Sequence, residues 1–317
     1  MAMSPSLRIR EASHAGSWYT DNPKVLDKQL DQLLGDRQQK INGARILIGP
    51  HAGYSYAGPT LAKAYGAFDS TNIKRVFIMG PSHHVYFSGC VMTTGCDIYK
   101  TPLGNIDVDT DVIQQLAEKH PKMFKEMSLQ TDEDEHCFEM HMPFLYKATR
   151  DSKNGVPKII PIMISASNTR FESELAEYLS PYFADKENAF IITSDFCHWG
   201  ARFGYTAYTP DGEISSLIDH PDDTSGGLKI YQSIEALDKK AMEVASTGSY
   251  KKFKEYLADT DNTICGAKPL SVLLHIMEKF YKGSNSGKFQ WNGYAQSSHV
   301  LSALDSSVSY GSGYAVI

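Results

Sequence analysis

Three apolar runs in this chain stop on residues that can do chemistry. Ile46-Leu47-Ile48 stops at Gly49-Pro50 and delivers His51, with a glycine- and tyrosine-rich turn expected after it. Val76-Phe77-Ile78-Met79 stops at Gly80-Pro81-Ser82 and delivers His83 and His84. Phe190-Ile191-Ile192 stops at Thr193-Ser194 and delivers Asp195, Phe196, Cys197, His198 and Trp199. Any one of these histidines, taken alone, reads more simply as a hydrogen-bonded structural residue. Together, two imidazoles and a carboxylate form a donor set for a divalent transition metal. Pro50 and Pro81 fix φ and end the strand ladder, so each following loop is stiffened and aims its histidine reproducibly. His83 and His84 are neighbours that point to different sides, so at most one is expected as a direct ligand. The stretch DFCHWG (195–200) is expected as a turn at a strand end. Its plainer reading is a packed aromatic turn in which Asp195 accepts backbone N–H bonds.

Two further segments carry donors. In TDEDEHCFEMH (131–141), helical spacing puts Glu135 and Glu139 on one face, and His136 and Glu139 likewise. The spacing is not that of a zinc-protease helix. Asp132 to Asp134 read as an acidic first turn complementing the helix dipole, while His136 and His141 could support the ligands from outside. Cys265 stands just before Gly266 and a helix expected from Pro269. A helix N-terminus stabilises a thiolate, but a buried, inert thiol is the simpler reading, and Cys197 is equally open. A Cys265–His198 hydrolase pair has no supporting signature. No phosphate-binding glycine loop follows any strand.

The elements that must position these residues are legible in outline. Residues 45–48, 75–79, 158–164 and 189–193 are short continuous apolar runs, as in strands buried on both faces of a sheet. Helical periodicity marks 22–34, 110–119, 135–148, 170–179, 234–245, 250–257 and 269–281. This alternation predicts an α/β fold with a central sheet flanked by helices. Residues 288–304 and 306–317 look antiparallel and half-exposed, so the sheet is expected to be mixed. Ligands bind outside the carboxyl ends of parallel strands, so His51, His83 or His84, Asp195 and His198 would share one crevice if their strands are neighbours. Residues 206–228, polar and turn-rich, are expected as a surface insertion. A single domain is expected over 4–317, with 1–3 set apart by the doubled Met.

Composition narrows the function classes. Of 317 residues, 42% are hydrophobic and 21% charged, enough for a sizeable core without structural metal or disulfide. The formal charge is −6, and the cations at 250–256 alternate with aromatics as on a solvated helix face, so no nucleic-acid partner is expected. No apolar stretch approaches the ~18 residues of a membrane span, and no secretory leader is visible. Five widely spaced cysteines without a CxxC point to a reducing compartment.

The motifs REASHAGSWY (10–19), GPHAGY (49–54), GPSHHV (80–85), MSLQTDEDEH (127–136), SDFCHWG (194–200), NTICG (262–266) and YAQSS with DSSVSY (294–298 and 305–310) resemble the Memo family, in order and over nearly the whole chain. The resemblance implies a fold similar to class III extradiol dioxygenases, non-haem iron enzymes that cleave catechol rings. It implies metal ligation by His51, His83 and Cys265. His198 stands at the acid/base position with Asp195 beside it, and Trp18, His84, His136, His141 and Cys197 are expected around the pocket. Cys265 replaces the carboxylate of the dioxygenases, which softens the donor set toward copper or zinc and argues against ring cleavage. The implied function is a copper- or iron-binding, redox-linked regulator of cell motility or invasive growth. The alternatives are a dioxygenase acting on an aromatic diol and an adaptor for phosphotyrosine-type peptides or signalling proteins. A cytoplasmic location, with a nuclear pool, follows from the same resemblance.

Overall fold

A computed structural model describes residues 6–35, 40–219, 226–281 and 288–317. Part of the stretch 206–228, residues 220–225, lies outside them.

The four continuous apolar runs form strands β2 (Ala44–Gly49), β3 (Arg75–Pro81), β8 (Lys158–Ile164) and β9 (Asn188–Thr193). They pair in parallel in the spatial order β2-β9-β3-β8. Period-two alternation divides each strand between two cores. Ile46, Ile48, Phe77 and Met79 face one hydrophobic cluster, and Leu47, Val76 and Ile78 face another. Burial on both faces explains why the runs lack a polar side.

The sheet is mixed, as expected. Strand β12 (Ser307–Val316) runs antiparallel to β2, and the bulged β10 (Asp195–Trp199) runs antiparallel to β12. On the other side, β4 (Val91–Thr93) is antiparallel to β8 and carries β7 (Phe124–Glu126). Strand β11 (Gln290–Gln296) also pairs with β12. A small separate sheet joins β1 (Ile9–Arg10), β5 (Ile98–Thr101) and β6 (Gly104–Asp107).

Helices α3 (Thr110–Lys119), α7 (Thr169–Ala184), α8 (Ile230–Ser246), α9 (Tyr250–Thr260) and α10 (Ala267–Tyr281) cover one core. Helices α1 (Pro23–Leu34), α2 (Tyr54–Ala67) and α6 (Met142–Thr149) cover the other. The Asn22 side chain caps α1 with Pro23 behind it, as the sequence predicted.

Three expectations need correction. The helix expected over 135–148, with its acidic first turn at 132–134, is three short helices: α4 (Leu129–Asp134) ends before Glu135, and α5 (His136–Glu139) and α6 are separated at Met140–His141. Glu135 is extended at φ −82°, ψ 120° and caps α5 with its own carboxylate, so the helix cannot run through it. The DFCHWG element is a strand, β10, not a turn. The tyrosine-rich turn after His51 is the start of α2, whose Gly58, Pro59 and Gly66 hide its helical pattern, while Ala57, Leu61, Ala64 and Tyr65 bury its inner face. At the head of 206–228, Ala207, Tyr208 and Thr209 are buried, the first two packing on Trp199, Ile230 and Ile234.

Candidate metal centre

Because β9 lies between β2 and β3, the three runs that end in reactive residues stop side by side. Gly49 registers with Thr193, and Met79 with Ile192. His51, Asp195 and His83 therefore leave the sheet at one edge. Glycine ends two of these strands because neighbours press close. A Cβ at Gly49 would sit 2.6 Å from Leu61 Cδ1, and one at Gly80 would sit 2.6 Å from Cys137 Sγ.

The hydrogen bonds fix the ring tautomers. The Thr193 hydroxyl donates to the Cys137 carbonyl at 3.0 Å, so it accepts from His51 Nδ1–H at 2.6 Å. His51 Nε2 is left with a free lone pair, and Cys265 Sγ lies 3.2 Å from it. His83 Nδ1–H donates to Glu135 Oε1 at 2.8 Å, while the His83 backbone N–H donates to Oε2 at 2.8 Å. A carboxylate can only accept, so His83 Nε2 is free as well. This is how metal-binding histidines are commonly held: one nitrogen bonded to an oxygen acceptor, the other presented to the ion.

A third imidazole joins them. Ligating atoms of His51, His83 and His136 lie within 4.8 Å of one another. The His136 ring is 4.3 Å from the His83 ring and 5.3 Å from that of His51. His83, Glu135 and Cys137 form a second such group. Among the described residues Cys265 belongs to neither group, although it touches His51. These His, Cys and Glu groups could hold a metal ion.

Electrostatics keep His51 and His136 neutral. Burial and then the neighbouring histidines push His51 well below its ordinary range, and burial and then His83 push His136 down to about 3. A neutral imidazole is the form that binds a metal. Burial would raise Glu135, but the hydrogen bonds it accepts from the His83 ring and the Cys137 N–H, with the imidazoles around it, outweigh that and hold the carboxyl at about 2. The Cys265 thiol is pushed up by burial and by Asp195, so its proton must leave before the sulfur can hold an ion.

The far wall comes from β10. Asp195 Oδ1 accepts from the His51 backbone N–H at 2.8 Å, and burial lifts its carboxyl to about 6. The Asp195 N–H donates to Cys265 Sγ at 3.1 Å. His198 Nδ1–H donates to the carbonyls of Phe196 at 2.9 Å and Thr263 at 3.0 Å, which leaves Nε2 as the basic nitrogen. The pairing of β10 with β12 advances three residues, Asp195 to His198, against two, Tyr310 to Val308. Such a bulge re-aims side chains, and here Asp195 and His198 act on each other electrostatically.

A family model described as Memo-like protein matches residues 10–314. The chain belongs to the Memo family. It is 44% identical to Protein MEMO1 of Xenopus laevis, over 99% of this chain and 100% of that protein. Protein MEMO1 of Homo sapiens is 42% identical over 98% of each chain. The MEMO1 family protein MHO1 of Saccharomyces cerevisiae is 42% identical over 98% of this chain and all of the yeast protein.

Within this Memo-family chain the remaining expected pocket residues part company. The Trp18 ring lies tilted against His136 at 4.4 Å. His83 and His84 are both exposed, but the His83 ring lies 4.3 Å from His136 and 5.1 Å from His51 while that of His84 is 6.4 Å from His136, so His83 is the inward member of the pair. His141 is buried behind Gly49 with Nδ1 3.1 Å from the Tyr65 hydroxyl, on the core side of the strand end. Cys197 is buried against Trp199 and Tyr205, away from His51 and His83.

Sequence reading missed Thr193, the hydroxyl that sets the His51 tautomer, and Glu135 as the anchor of His83. It also missed His14, whose Nδ1 is 2.9 Å from Glu139 Oε2 and whose ring is 5.9 Å from His136. Glu139 in turn binds the buried guanidinium of Arg10 at 2.7 Å. One signal was available: a carboxylate directly beside a histidine in the acidic run at 131–136.

Proposed function

We propose that this Memo-family protein binds a copper or iron ion at His51, His83 and Cys265 and serves as a redox-linked regulator of cell motility or invasive growth. One observation carries the metal-binding part. Two histidines from the ends of β2 and β3, the strands that flank β9, each have Nδ1–H donated to an oxygen, so both Nε2 atoms are free at one edge of the sheet, and the Cys265 sulfur lies 3.2 Å from one of them. The family resemblance supplies the regulatory role and a cytoplasmic and nuclear location. A bound ion of this kind would supply one-electron chemistry and Lewis acidity, and the thiolate would favour a soft ion.

Metal content of anaerobically prepared protein, measured by elemental analysis, tests this reading. Wild type should hold stoichiometric metal and His51→Ala should lose it. Equal content in both, or none in either, refutes it.

A second reading, oxygen-dependent turnover of an aromatic diol, is favoured by His198. Its Nδ1–H is anchored on two carbonyls and its Nε2 is available as a base, with the Asp195 carboxyl lifted to about 6 beside it. Oxygen uptake with catechols that is lost in His198→Ala would select this reading over the regulator.

A further inference from the structure

We propose that His136 is itself a metal ligand: it completes a three-imidazole set with His51 and His83 for a borderline divalent ion such as Co2+ or Zn2+, while Cys265 completes the set for copper or iron. The inference rests on the metal-binding reading above and deepens it.

The distances carry the proposal. Three nitrogens on one tetrahedral divalent ion, each about 2.0–2.1 Å from it, stand about 3.4 Å apart. The ligating atoms of His51, His83 and His136 already lie within 4.8 Å of one another, so small side-chain rotations close the set. A sulfur and a nitrogen on the same ion stand about 3.6 Å apart, and Cys265 Sγ is 3.2 Å from His51 Nε2. Cys265 is therefore correctly placed with respect to His51, but among the described residues it forms no compact trio that includes His83. The two arrangements share His51 and diverge at the last donor, imidazole nitrogen on one side and thiolate sulfur on the other.

The surroundings hold His136 in place. Its ring lies against His83 at 4.3 Å on one side and Trp18 at 4.4 Å on the other. Its Nδ1 is 3.6 Å from Glu135 Oε1, the oxygen that anchors His83. One carboxylate therefore lies beside both imidazoles. Borderline ions such as Co2+ and Zn2+ are well served by imidazole, whereas Cu+ is selected by thiolate. The chemistry of the ion then decides which last donor is used.

The test loads full-length protein with Co2+ alone or, anaerobically, with Cu+ alone, and compares wild type, His136→Ala, His136→Gln and Cys265→Ser. Affinities come from chelator competition, and the Co2+ absorption spectrum reports whether sulfur is bound. The expected result is that both His136 variants lose Co2+ affinity by more than the roughly 10- to 100-fold that follows loss of an outer hydrogen-bond partner. They should keep their Cu+ affinity, which also shows that they are folded. Cys265→Ser should do the reverse, and Co2+-loaded wild type should lack a sulfur-to-cobalt charge-transfer band. Wild-type Co2+ affinity in the His136 variants, or equal Co2+ loss in Cys265→Ser, overturns the proposal while leaving the metal-binding reading intact. Absence of binding of either ion by wild type overturns both.

Discussion

Thr193→Val isolates the orienting role of the protein without touching a ligand. Valine matches threonine in shape and removes only the hydroxyl. In the native site that hydroxyl accepts His51 Nδ1–H at 2.6 Å and donates to the Cys137 carbonyl at 3.0 Å. The carbonyl loses its donor in both the metal-free and metal-bound states, so that loss cancels in the binding equilibrium. The imidazole does not cancel. Without metal, His51 can shift its proton to Nε2 and point it at Cys265 Sγ, 3.2 Å away. With metal on Nε2, the proton must stay on Nδ1, where His51 is buried and no acceptor remains. An unsatisfied buried donor costs about 1–3 kcal/mol, and about 1.4 kcal/mol is tenfold in affinity. Thr193→Val should therefore weaken metal binding about 5- to 150-fold, read by chelator competition. Thr193→Ser, which keeps the hydroxyl, should bind like wild type. Wild-type affinity in the valine variant would refute the tautomer reasoning even if the metal site itself is confirmed.

Two predictions concern stability against pH and have opposite signs. Burial would raise Glu139, but His14 and Arg10 outweigh it and hold its carboxyl at about 2, below the ordinary 4.5. That contribution is present above pH 4.5 and is lost as pH falls toward 2, about 3 kcal/mol in all. Urea midpoints should drop over that window in wild type and should drop less steeply in Glu139→Gln. Asp238 is the converse: burial lifts it from 3.8 to about 6, although Cys197 N–H, Asn262 and Tyr294 all donate to it. The folded protein holds that proton more tightly, so its contribution is full below about pH 4 and is lost as pH rises through 6, again about 3 kcal/mol. Asp238→Asn should flatten the decline between pH 4 and 6, and an unchanged slope would show that the carboxyl is not protonated there.

The membrane question is settled as far as helices go: among the described residues none is long and apolar enough to span a bilayer. All five cysteines are free.

The sequence by itself determined the strands and the strand-end histidines. Ile46–Ile48, Val76–Met79 and Phe190–Ile192 are apolar without interruption, and short β-branched- and aromatic-rich runs of this kind suit strands buried on both faces of a sheet. A proline or a short polar turn after each run then has to release the chain at the sheet edge, so His51, His83 and Asp195 were legible as candidates. Period and spacing are local, and they cannot say which strand lies beside which. The order β2-β9-β3 was decided by tertiary packing, and it is this order that brings residues 51, 83 and 195 together. Helix α2 was hidden because its glycines and proline contradict helical propensity, and burial of Ala57, Leu61 and Tyr65 overrides them. The break at Glu135 was hidden for the opposite reason. The periodic pattern favours one helix, but the Glu135 carboxylate is taken by the His83 ring and two backbone N–H groups, and its backbone turns out of the helix to reach them. That break turns the His136 ring toward His83 and His51. Which sulfur meets which imidazole was likewise outside local reach. Cys265 and His51 are 214 residues apart in the chain and 3.2 Å apart in space, a contact that exists only because α10 starts beneath the end of β9, where the Gly266 N–H donates to the Ser194 hydroxyl at 3.0 Å.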